Sequence, residues 1–461
     1  MSHFHKTNPS LFRVLVIGAG LAGCEAAHYL ARHGVQVVLV DGKKKKLNPA
    51  QKVTTLGELV CTNSLKSADP ATGHGLLKQE MQALDSLILK AAYQHRVPAG
   101  QALAVDREKF SSFIEETLLA HPMIRVIEAE AADPLEMMNS LECSKVIIAT
   151  GPLTSEPMAD WIVKNISSGD FYFYDAIAPV VDGDSLNMEK LYLKDRYGTT
   201  GEGDYLNAPM NKQEYDAFIE ALVNSEKVPA KNFEELKYFE GCLPIDTMAL
   251  RGHETARFSC MKPVGLEKGE ERRPYAVVQL RKENLLGSAY NLVGFQTRMT
   301  HKEQLRIFRM IPGLEEARFL HLGSCHRNSY LNAKKLLKRD FSCQQHAAIF
   351  FAGQLTGVEG YTESAAMGIY TAIQIVEQLQ GRPPLAFPVD CAMGALVNYV
   401  MTAEKPSPSN INFGLFAEPV WPETTGKRPG RSLRKDLKKE LICQNARISF
   451  EKVLQHLQQQ G

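Results

Sequence analysis

Apolar residues recur along this chain in two patterns, and the order of those patterns predicts an α/β protein. Short apolar runs at residues 14–17, 35–40, 146–151 and 349–351 have the length and glycine boundaries of buried strands. A long region between the third and fourth runs has a different pattern. The sequence therefore predicts one nucleotide-binding sheet whose parts are separated along the chain.

A glycine fingerprint follows the first predicted strand. Gly18, Gly20 and Gly23 stand between that strand and a segment rich in Ala, Glu and Leu. Gly18 permits the tight turn, Gly20 lets the backbone approach a pyrophosphate, and Gly23 lets helix and strand pack closely. Asp41 ends the second strand, roughly 20 residues further on, where a carboxylate accepts hydrogen bonds from ribose hydroxyls. This order predicts a dinucleotide site, and the fingerprint by itself fits NAD as well as FAD.

A second glycine-rich segment near the end of the chain favours FAD. Gly353, Gly357 and Gly360 follow the strand predicted at 349–351 and would bring backbone amides close to a cofactor, ahead of a helix predicted from Ser364. The N-terminus of such a helix stabilises negative charge on a reduced flavin. The predicted cofactor-binding residues are Gly18, Ala19, Gly20, Leu21, Ala22, Gly23, Asp41, Gly151, Gly353, Gln354, Gly357, Gly360 and Tyr361.

The region between the two signatures, residues 175–312, contains short strands, charged loops and one clear helix at 212–224. Four residues of that helix recur at helical spacing and predict a core-facing stripe, namely Tyr215, Phe218, Ile219 and Leu222. Residues 274–283 and 288–298 predict two paired strands joined by a turn around Gly287. The inference is a mixed α/β lid over the flavin.

These patterns together predict a two-dinucleotide-type, Rossmann-like FAD-binding domain that is discontinuous in sequence and carries an inserted mixed α/β domain. The predicted boundaries are 1–190 for the first part of the FAD-binding domain, 191–310 for the insertion and 311–461 for the second part. The tail after Phe387 is predicted to be loop up to Pro429 and helical over 431–459.

Composition narrows the function classes. The 461 residues carry a net charge of +1, so the chain lacks the overall basicity of a dedicated nucleic-acid module. No segment approaches the roughly 20 apolar residues of a membrane span. The N-terminal residues lack the apolar core of a signal peptide, so the nine cysteines are expected to be reduced thiols in the cytoplasm. Without a CxxC pair or a Cys/His cluster, no metal site is expected.

Charge is nevertheless uneven along the chain. Residues 43–46 form a basic run directly after Asp41, and a second basic segment begins the C-terminal helix. Such runs are either solvated faces or contacts to phosphates. The C-terminal residues that could supply phosphate contacts are Arg431, Arg434, Lys435 and Lys438.

Two cysteines stand out by their context. Cys61 follows an apolar, strand-like approach and precedes Thr62, Asn63 and Ser64, which favour helix caps and turns. Cys242 lies beside Gly241 and Pro244 in a predicted exposed turn. Thiolates at such positions have lowered pKa values and are nucleophilic, whereas a buried cysteine acts as a small hydrophobic residue. The sequence supports both interpretations.

Several blocks of this sequence resemble the folate- and FAD-dependent tRNA uracil-5-methyltransferases. The similarity runs in order from about Val14 to Phe416, and its most specific blocks are LVCTNSL at 59–65, HRVPAGQALAVDR at 95–107 and GQLTGVEGYTESAA at 353–366. The family commonly has Glu-Met-Arg-Pro at the end of the second strand, where this chain has Asp-Gly-Lys-Lys at 41–44.

The resemblance implies methylation of uridine C5 in the T loop of tRNA, with 5,10-methylenetetrahydrofolate as the carbon donor. In the family scheme reduced FAD receives the methylene group, NAD(P)H restores the flavin, and a cysteine thiolate adds to uracil C6 so that C5 becomes nucleophilic. No obligate protein partner is implied. Because the target uridine lies inside the folded tRNA, the enzyme must extrude it or open the loop.

The resemblance also suggests residue roles. Cys242 is the candidate for the uracil nucleophile and Cys61 for a second functional thiol near the flavin, and the reverse assignment stays open. Tyr361 is expected to form a wall near the flavin. The polar residues His326, Arg327 and Asn328 are candidates for a folate pocket, with His326 packing on the pterin ring.

Three alternatives remain at this point. The same chemistry could act on a uridine of ribosomal RNA. The flavin-dependent enzymes that modify the wobble uridine share the dinucleotide fold and require a partner GTPase, but the family-specific blocks argue against them. A non-catalytic flavin- or RNA-binding protein is the third alternative, and the presence of both Cys61 and Cys242 disfavours it.

Overall fold

The structure is a computed structural model that describes residues 12–48, 50–167, 172–196, 203–228, 243–267, 273–283, 289–404, 408–420 and 431–459. Only the backbone is described for 172–177, 324–328 and 431–435. Cys242 and Gly287 therefore lie outside the described residues, and the side chains of His326, Arg327, Asn328, Arg431, Arg434 and Lys435 do too.

The strands of the described residues, in chain order, are β1 (Arg13–Ile17), β2 (Gln36–Asp41), β3 (Ser64–Ser67), β4 (Arg96–Val97), β5 (Ala102–Val105), β6 (Ile124–Glu128), β7 (Lys145–Ile148), β8 (Tyr172–Ile177), β9 (Val180–Asp182), β10 (Tyr192–Leu193), β11 (Tyr205–Met210), β12 (Ala276–Lys282), β13 (Ala289–Leu292), β14 (Phe319–His321), β15 (Ser324–Ser329) and β16 (Ile349–Phe351).

The α-helices of the described residues are α1 (Leu21–Arg32), α2 (Gly73–Ala83), α3 (Leu87–Gln94), α4 (Arg107–Ala120), α5 (Pro134–Ser140), α6 (Glu156–Asn165), α7 (Lys212–Val223), α8 (Ile245–Arg251), α9 (His301–Phe308), α10 (Ala333–Leu336), α11 (Tyr361–Leu379), α12 (Ala392–Thr402) and α13 (Arg431–Gln458).

The first sheet contains the four strands that the apolar runs predict. Its order is β16-β7-β1-β2-β6, and all neighbouring strands are parallel. Because β16 comes from the far end of the chain and pairs with β7, the sheet is complete only when the two halves of the sequence come together. The predicted discontinuous, Rossmann-like α/β fold is confirmed.

Helices α1 and α11 pack against each other beside this sheet. Gly368 of α11 makes the close approach possible, because a Cβ atom at Gly368 would lie 2.2 Å from the backbone oxygen of Ala22. The corresponding position at Gly23 would lie 1.8 Å from the oxygen of Gly18. The tight contact that the sequence assigns to Gly23 is therefore present. Because α1 follows β1 and α11 follows β16, both helices begin on the side of the sheet's carboxyl edge, where nucleotides bind in such folds.

The second sheet is antiparallel, with the order β10-β11-β12-β13-β9-β14. The predicted pairing of residues 274–283 with 288–298 is confirmed by β12 and β13. Helix α7 also matches its prediction, and its stripe Tyr215, Phe218, Ile219 and Leu222 is buried in the core beneath this sheet. The sheet takes strands from Val180 to His321, on both sides of the predicted insertion boundaries, which stay a prediction.

Three helices correct the sequence analysis. The predicted loop after Phe387 is wrong for α12, whose N-terminal amides at Ala392 and Met393 donate to the carboxylate of Glu80 over 2.6 and 2.8 Å. This cap comes from a residue more than 300 positions earlier, so no local pattern could reveal it. The inserted region also contains α8 and α9 in addition to the one predicted helix.

The C-terminal helix α13 matches the predicted helix closely. Five of its residues are buried and pack on the core of the first sheet, namely Ile442, Cys443, Ala446, Phe450 and Val453. Cys443, Ala446, Phe450 and Val453 follow one another at a spacing of three to four residues, and Ile442 is adjacent to Cys443, so the five share one face. The first turns of α13, which carry the basic segment, precede this docked part of the helix.

Candidate functional site

The first cavity lies where β1, β7 and β16 end and α1 begins. Its lining includes most of the residues that the two glycine signatures predict: Gly18, Ala19, Gly20, Leu21, Ala22, Asp41, Gly151, Gly353, Gln354 and Tyr361. The N-terminus of α1 opens onto it, so free backbone N–H groups and the positive end of the helix dipole face the cavity. An anionic pyrophosphate fits this end of the cavity.

Gly18 and Gly20 serve this cavity in different ways. Gly18 has φ of +99°, and a Cβ atom there would lie 2.5 Å from the backbone oxygen of Ala149. Only glycine therefore satisfies both the conformation and the contact with the neighbouring strand. At Gly20, in contrast, an added Cβ atom would meet nothing within 4 Å. The backbone of Gly20 is thus open toward the space that a ligand would occupy.

Asp41 lines the same cavity and also fixes the turn. One of its carboxylate oxygens accepts a hydrogen bond from the backbone nitrogen of Ala19 at 2.6 Å, and the other accepts from the nitrogen of Lys43 at 2.7 Å. Each carboxylate oxygen can accept more than one hydrogen bond. Asp41 can therefore hold the glycine turn and still accept from a ribose hydroxyl.

Lys43 departs from both interpretations of the basic run at 43–46. Its side chain is 5% exposed and lies 2.6 Å from a carboxylate oxygen of Glu58, which is 7% exposed. Its ammonium also donates to the backbone oxygen of Thr55 at 2.8 Å. Lys43 is therefore part of a buried ion pair in the wall of the cavity. Lys44 does face solvent, where it pairs with Glu115 and Glu128.

The second cavity adjoins the first and has a volume of about 360 Å³. The two cavities share walls formed by Val60, Pro152, Leu153, Gln354 and Tyr361. The second cavity continues to strands β12 and β13 of the antiparallel sheet through Arg281 and Asn291. The inserted sheet thus covers one side of a space whose other side belongs to the nucleotide-binding sheet.

Cys61 and Tyr361 meet at the boundary between the cavities. The phenolic oxygen of Tyr361 accepts hydrogen bonds from the backbone nitrogens of Cys61 at 2.6 Å and Thr62 at 3.0 Å. Burial raises the pKa of Tyr361, so the phenol stays neutral. The structure therefore brings together two residues, 300 positions apart, that the sequence analysis selected separately. Cys61 itself lines the second cavity.

No helix begins after Cys61, so the helix-cap alternative is wrong; Ser64 does form a turn contact, because its hydroxyl accepts from the backbone nitrogen of Lys66 at 3.0 Å. Thr62 and Asn63 lead into strand β3 and bond to Arg281 of β12 instead. The Asn63 amide also donates to the backbone oxygens of Val105 and Lys282, at 3.1 and 2.8 Å. The cysteine loop is therefore attached to both domains. The apolar approach before Cys61 forms no strand.

Arg107 is a site residue that the sequence analysis missed. Its guanidinium donates to the backbone oxygens of Leu59 and Cys61 at 3.1 and 3.3 Å, and it pairs with Glu283 at 2.7 Å. One arginine thus fixes both sides of the cysteine loop and the end of β12. The only available signal was its position in the block at 95–107, because nothing in local spacing connects residues 59, 107 and 283.

Glu363 was also missed, although it stands in the glycine-rich signature. It lies in the first turn of α11, is completely buried and lines the second cavity. One carboxylate oxygen accepts from the backbone nitrogen of Ile411 at 3.1 Å and lies 3.2 Å from Nδ1 of His74. Burial raises the pKa of Glu363, but Lys66 and His74 outweigh it and hold the pKa at about 2. Glu363 is therefore an anion at neutral pH.

The remaining predicted residues lie in several places. Gly360 lines the second cavity, and Gly357 lies beside Val400 and Leu331 at a separate, small cavity. The backbone of His326 pairs with Asp175 between β15 and β8. Lys438 of the basic segment forms an ion pair with Glu418. The RNA-contact and folate-pocket assignments stay predictions.

The described part of the chain contains neither a metal-binding cluster nor a membrane-spanning helix. No group of three or more His, Cys, Asp or Glu side chains there has an arrangement that could hold a metal ion. Among the described helices, none combines the length and the apolar character needed to cross a membrane.

The chain is similar to known proteins over most of its length. Residues 13–383 match the sequence model of the family described as glucose inhibited division protein A. A methylenetetrahydrofolate–tRNA-(uracil-5-)-methyltransferase TrmFO from Streptococcus suis is 47% identical over 425 residues, which cover 90% of this chain and 94% of that relative. The TrmFO of Desulfotalea psychrophila is 48% identical over 419 residues, covering 90% and 93%.

A solved structure shares the fold. The structure of Aquifex aeolicus GidA in its form II crystal superposes with a TM-score of 0.69 at 16% sequence identity, covering 97% of this chain and 74% of that one. At this identity the likeness shows the fold alone.

Proposed function

This chain belongs to the glucose inhibited division protein A family and, within it, to the methylenetetrahydrofolate–tRNA-(uracil-5-)-methyltransferases, and we propose that it methylates C5 of a uridine in the T loop of tRNA. The carbon comes from 5,10-methylenetetrahydrofolate, and NAD(P)H supplies the reducing equivalents. The observation that carries the proposal is the 47% identity to the Streptococcus suis enzyme across 90% of this chain.

The residues of the first cavity fit FAD. Gly18 and Gly353 both have positive φ and leave no room for a side chain, and Gly20 opens to the cavity. The N-terminus of α1 would hold the pyrophosphate, and Asp41 would accept from the ribose. When bound, FAD supplies the electron transfer that links NAD(P)H oxidation to reduction of the one-carbon unit.

The protein's own residues would activate the uridine. A cysteine thiolate adds to uracil C6, a C–S bond forms, and the electron pair moves to C5, which attacks the one-carbon unit. Loss of the C5 proton then expels the thiolate. We assign the addition to Cys242 and a second role to Cys61. The loop that carries Cys61 is bound by Tyr361 and Arg107 and lies where the first and second cavities meet.

The test is nucleoside mass spectrometry of an unmodified tRNA transcript after incubation with the protein, FAD, NADH or NADPH, and methylenetetrahydrofolate. We expect 5-methyluridine in the tRNA, and none when the T-loop target uridine is replaced by cytidine. Cys242→Ser should abolish the product. Product in the cytidine transcript would move the target outside the T loop, and product only in a ribosomal RNA fragment would contradict the proposal.

A further inference from the structure

Residues 50–61 run along the first cavity to Cys61 without forming a helix or a strand. Gln51, Glu58 and Val60 line the first cavity along the way. Cys61 ends this segment and, within the described part of the chain, lines the second cavity and not the first. The segment is therefore a wall of the nucleotide cavity and also the carrier of a candidate functional cysteine.

A segment without regular structure keeps its position through contacts with its neighbours, and residues 50–61 contact the glycine turn of the first cavity. The backbone nitrogen of Gly57 donates to the backbone oxygen of Ala19 at 2.9 Å. Ala19 belongs to the glycine turn, and its own nitrogen donates to Asp41. The turn that would hold a pyrophosphate is thus hydrogen-bonded directly to the segment.

The buried pair of Lys43 and Glu58 makes the second link. Both side chains line the first cavity, and their charged atoms are 2.6 Å apart. The other carboxylate oxygen of Glu58 accepts from the backbone nitrogens of Lys52 at 2.8 Å and Val53 at 3.4 Å. The Lys43 ammonium donates to the backbone oxygen of Thr55 at 2.8 Å. One ion pair thus fixes the segment against the turn that follows β2.

A nucleotide in the first cavity would strengthen this second link. The nucleotide displaces water from a wall that contains both charges, and the attraction between opposite charges grows as their surroundings become less polar. Glu58 stands three residues before Cys61, so a restraint on Glu58 limits the positions open to Cys61. Occupation of the first cavity is therefore felt at a residue that lines the second.

We propose that Lys43 and Glu58 are positioning residues that couple nucleotide binding in the first cavity to the position of Cys61. Without nucleotide, the segment opens and Cys61 is more accessible, and the adenosine diphosphate part of FAD closes it. Such coupling also acts in the other direction, so the closed segment binds the nucleotide more tightly. The inference rests on the proposed function only in assigning a nucleotide to the first cavity.

ADP is the probe for this coupling, because it has the pyrophosphate and the adenosine of FAD and lacks the flavin. The measurement is the rate at which iodoacetamide alkylates Cys61 in the full chain freed of flavin, with and without saturating ADP, followed by peptide mass spectrometry. We expect ADP to slow this reaction at least about 5-fold, a typical coupling between two sites. Lys44→Met, which breaks the adjacent solvent-facing pairs with Glu115 and Glu128, should keep the wild-type protection.

Lys43→Met/Glu58→Leu should remove most of the protection by ADP, because no ion pair then joins the segment to the cavity. Glu58→Gln, which keeps an acceptor for the Lys52 nitrogen and removes only the charge, should reduce the protection and replaces the double variant should that not fold. Calorimetry sets the saturating ADP concentration for each protein. Protection equal to that of the wild type in these variants would overturn the coupling.

A second thiol distinguishes opening of the segment from unfolding of the whole protein. Cys391 is completely buried, and its thiol donates to the backbone oxygen of Pro388 at 3.1 Å. Equal slowing of Cys61 and Cys391 by ADP would overturn the proposal. A wild-type chain that binds no ADP would overturn it together with the FAD assignment, whereas ADP binding without protection of Cys61 would overturn the coupling alone. The assay for 5-methyluridine tests methyl transfer separately.

Discussion

The hydroxyl of Tyr361 holds the backbone of Cys61 in place, with 2.6 Å between the phenolic oxygen and the backbone nitrogen. Tyr361 begins α11 in the last third of the chain, and Cys61 lies in a loop of the first. The contact places the cysteine at the boundary between the first and second cavities. A single aromatic residue thus serves as cavity wall and as the anchor of the loop.

Tyr361→Phe should loosen this loop. The amides of Cys61 and Thr62 lose their common acceptor, and each buried unpaired amide costs about 1–3 kcal/mol. We expect faster alkylation of Cys61 by iodoacetamide, followed by peptide mass spectrometry. Tyr370→Phe is the control, since its hydroxyl donates to Arg339 away from both cavities. Equal alkylation rates in wild type and Tyr361→Phe would show that the contact does not restrain the loop.

Lys43→Met should destabilise the protein strongly. It leaves the carboxylate of Glu58 buried without its cation, and breaking a buried pair costs about 3–5 kcal/mol. The double variant Lys43→Met/Glu58→Leu should recover most of this loss, because no charge then remains buried. Urea unfolding measures the free energy of unfolding of the single and the double variant. Lys212→Met, which breaks an exposed pair with Asp216, should leave the urea midpoint of unfolding nearly unchanged.

His28 should make stability depend on pH. Burial, with a smaller effect of Arg32, lowers the pKa of His28 from 6.5 to about 4 in the folded protein. Its contribution to stability is therefore complete above pH 6.5 and is lost as the pH falls toward 4. Between pH 7.5 and 5.0 the wild type should lose about 2 kcal/mol more than His28→Leu in urea unfolding. Parallel pH profiles for the two proteins would contradict the assignment.

The basic segment of α13 should contribute to tRNA binding. Replacing Arg431, Arg434, Lys435 and Lys438 with Gln should weaken binding and flatten its dependence on salt, because fewer counterions are released from the RNA. Filter binding at several salt concentrations measures the affinity for tRNA and its dependence on salt. The control replaces four exposed basic residues that pair with carboxylates elsewhere: Lys190, Lys212, Arg273 and Arg306. If tRNA affinity depends equally on salt concentration in the two variants, the basic segment is an ordinary solvent-exposed surface that does not contact tRNA.

The sequence alone determined the nucleotide-binding sheet and the first cavity. Strands β1, β2, β7 and β16 are continuous apolar runs because both of their faces are buried, and such runs are visible without knowledge of the partners. Gly18 and Gly20 were equally readable, since the turn and the close approach of the backbone are local requirements. The helix α7 was predictable from its apolar spacing.

The tertiary structure alone decided which side chains from distant parts of the chain meet. Lys43 belongs to a basic run, yet Glu58 converts it into half of a buried pair. The cap that Glu80 provides for α12, like the contacts of Arg107 with the cysteine loop and Glu283, joins residues that are far apart in sequence. Periodicity and glycine spacing report what a residue does to its own backbone. The presence of Tyr361 and Arg281 in the walls of one cavity depends instead on the packing of the two sheets, which no local pattern contains.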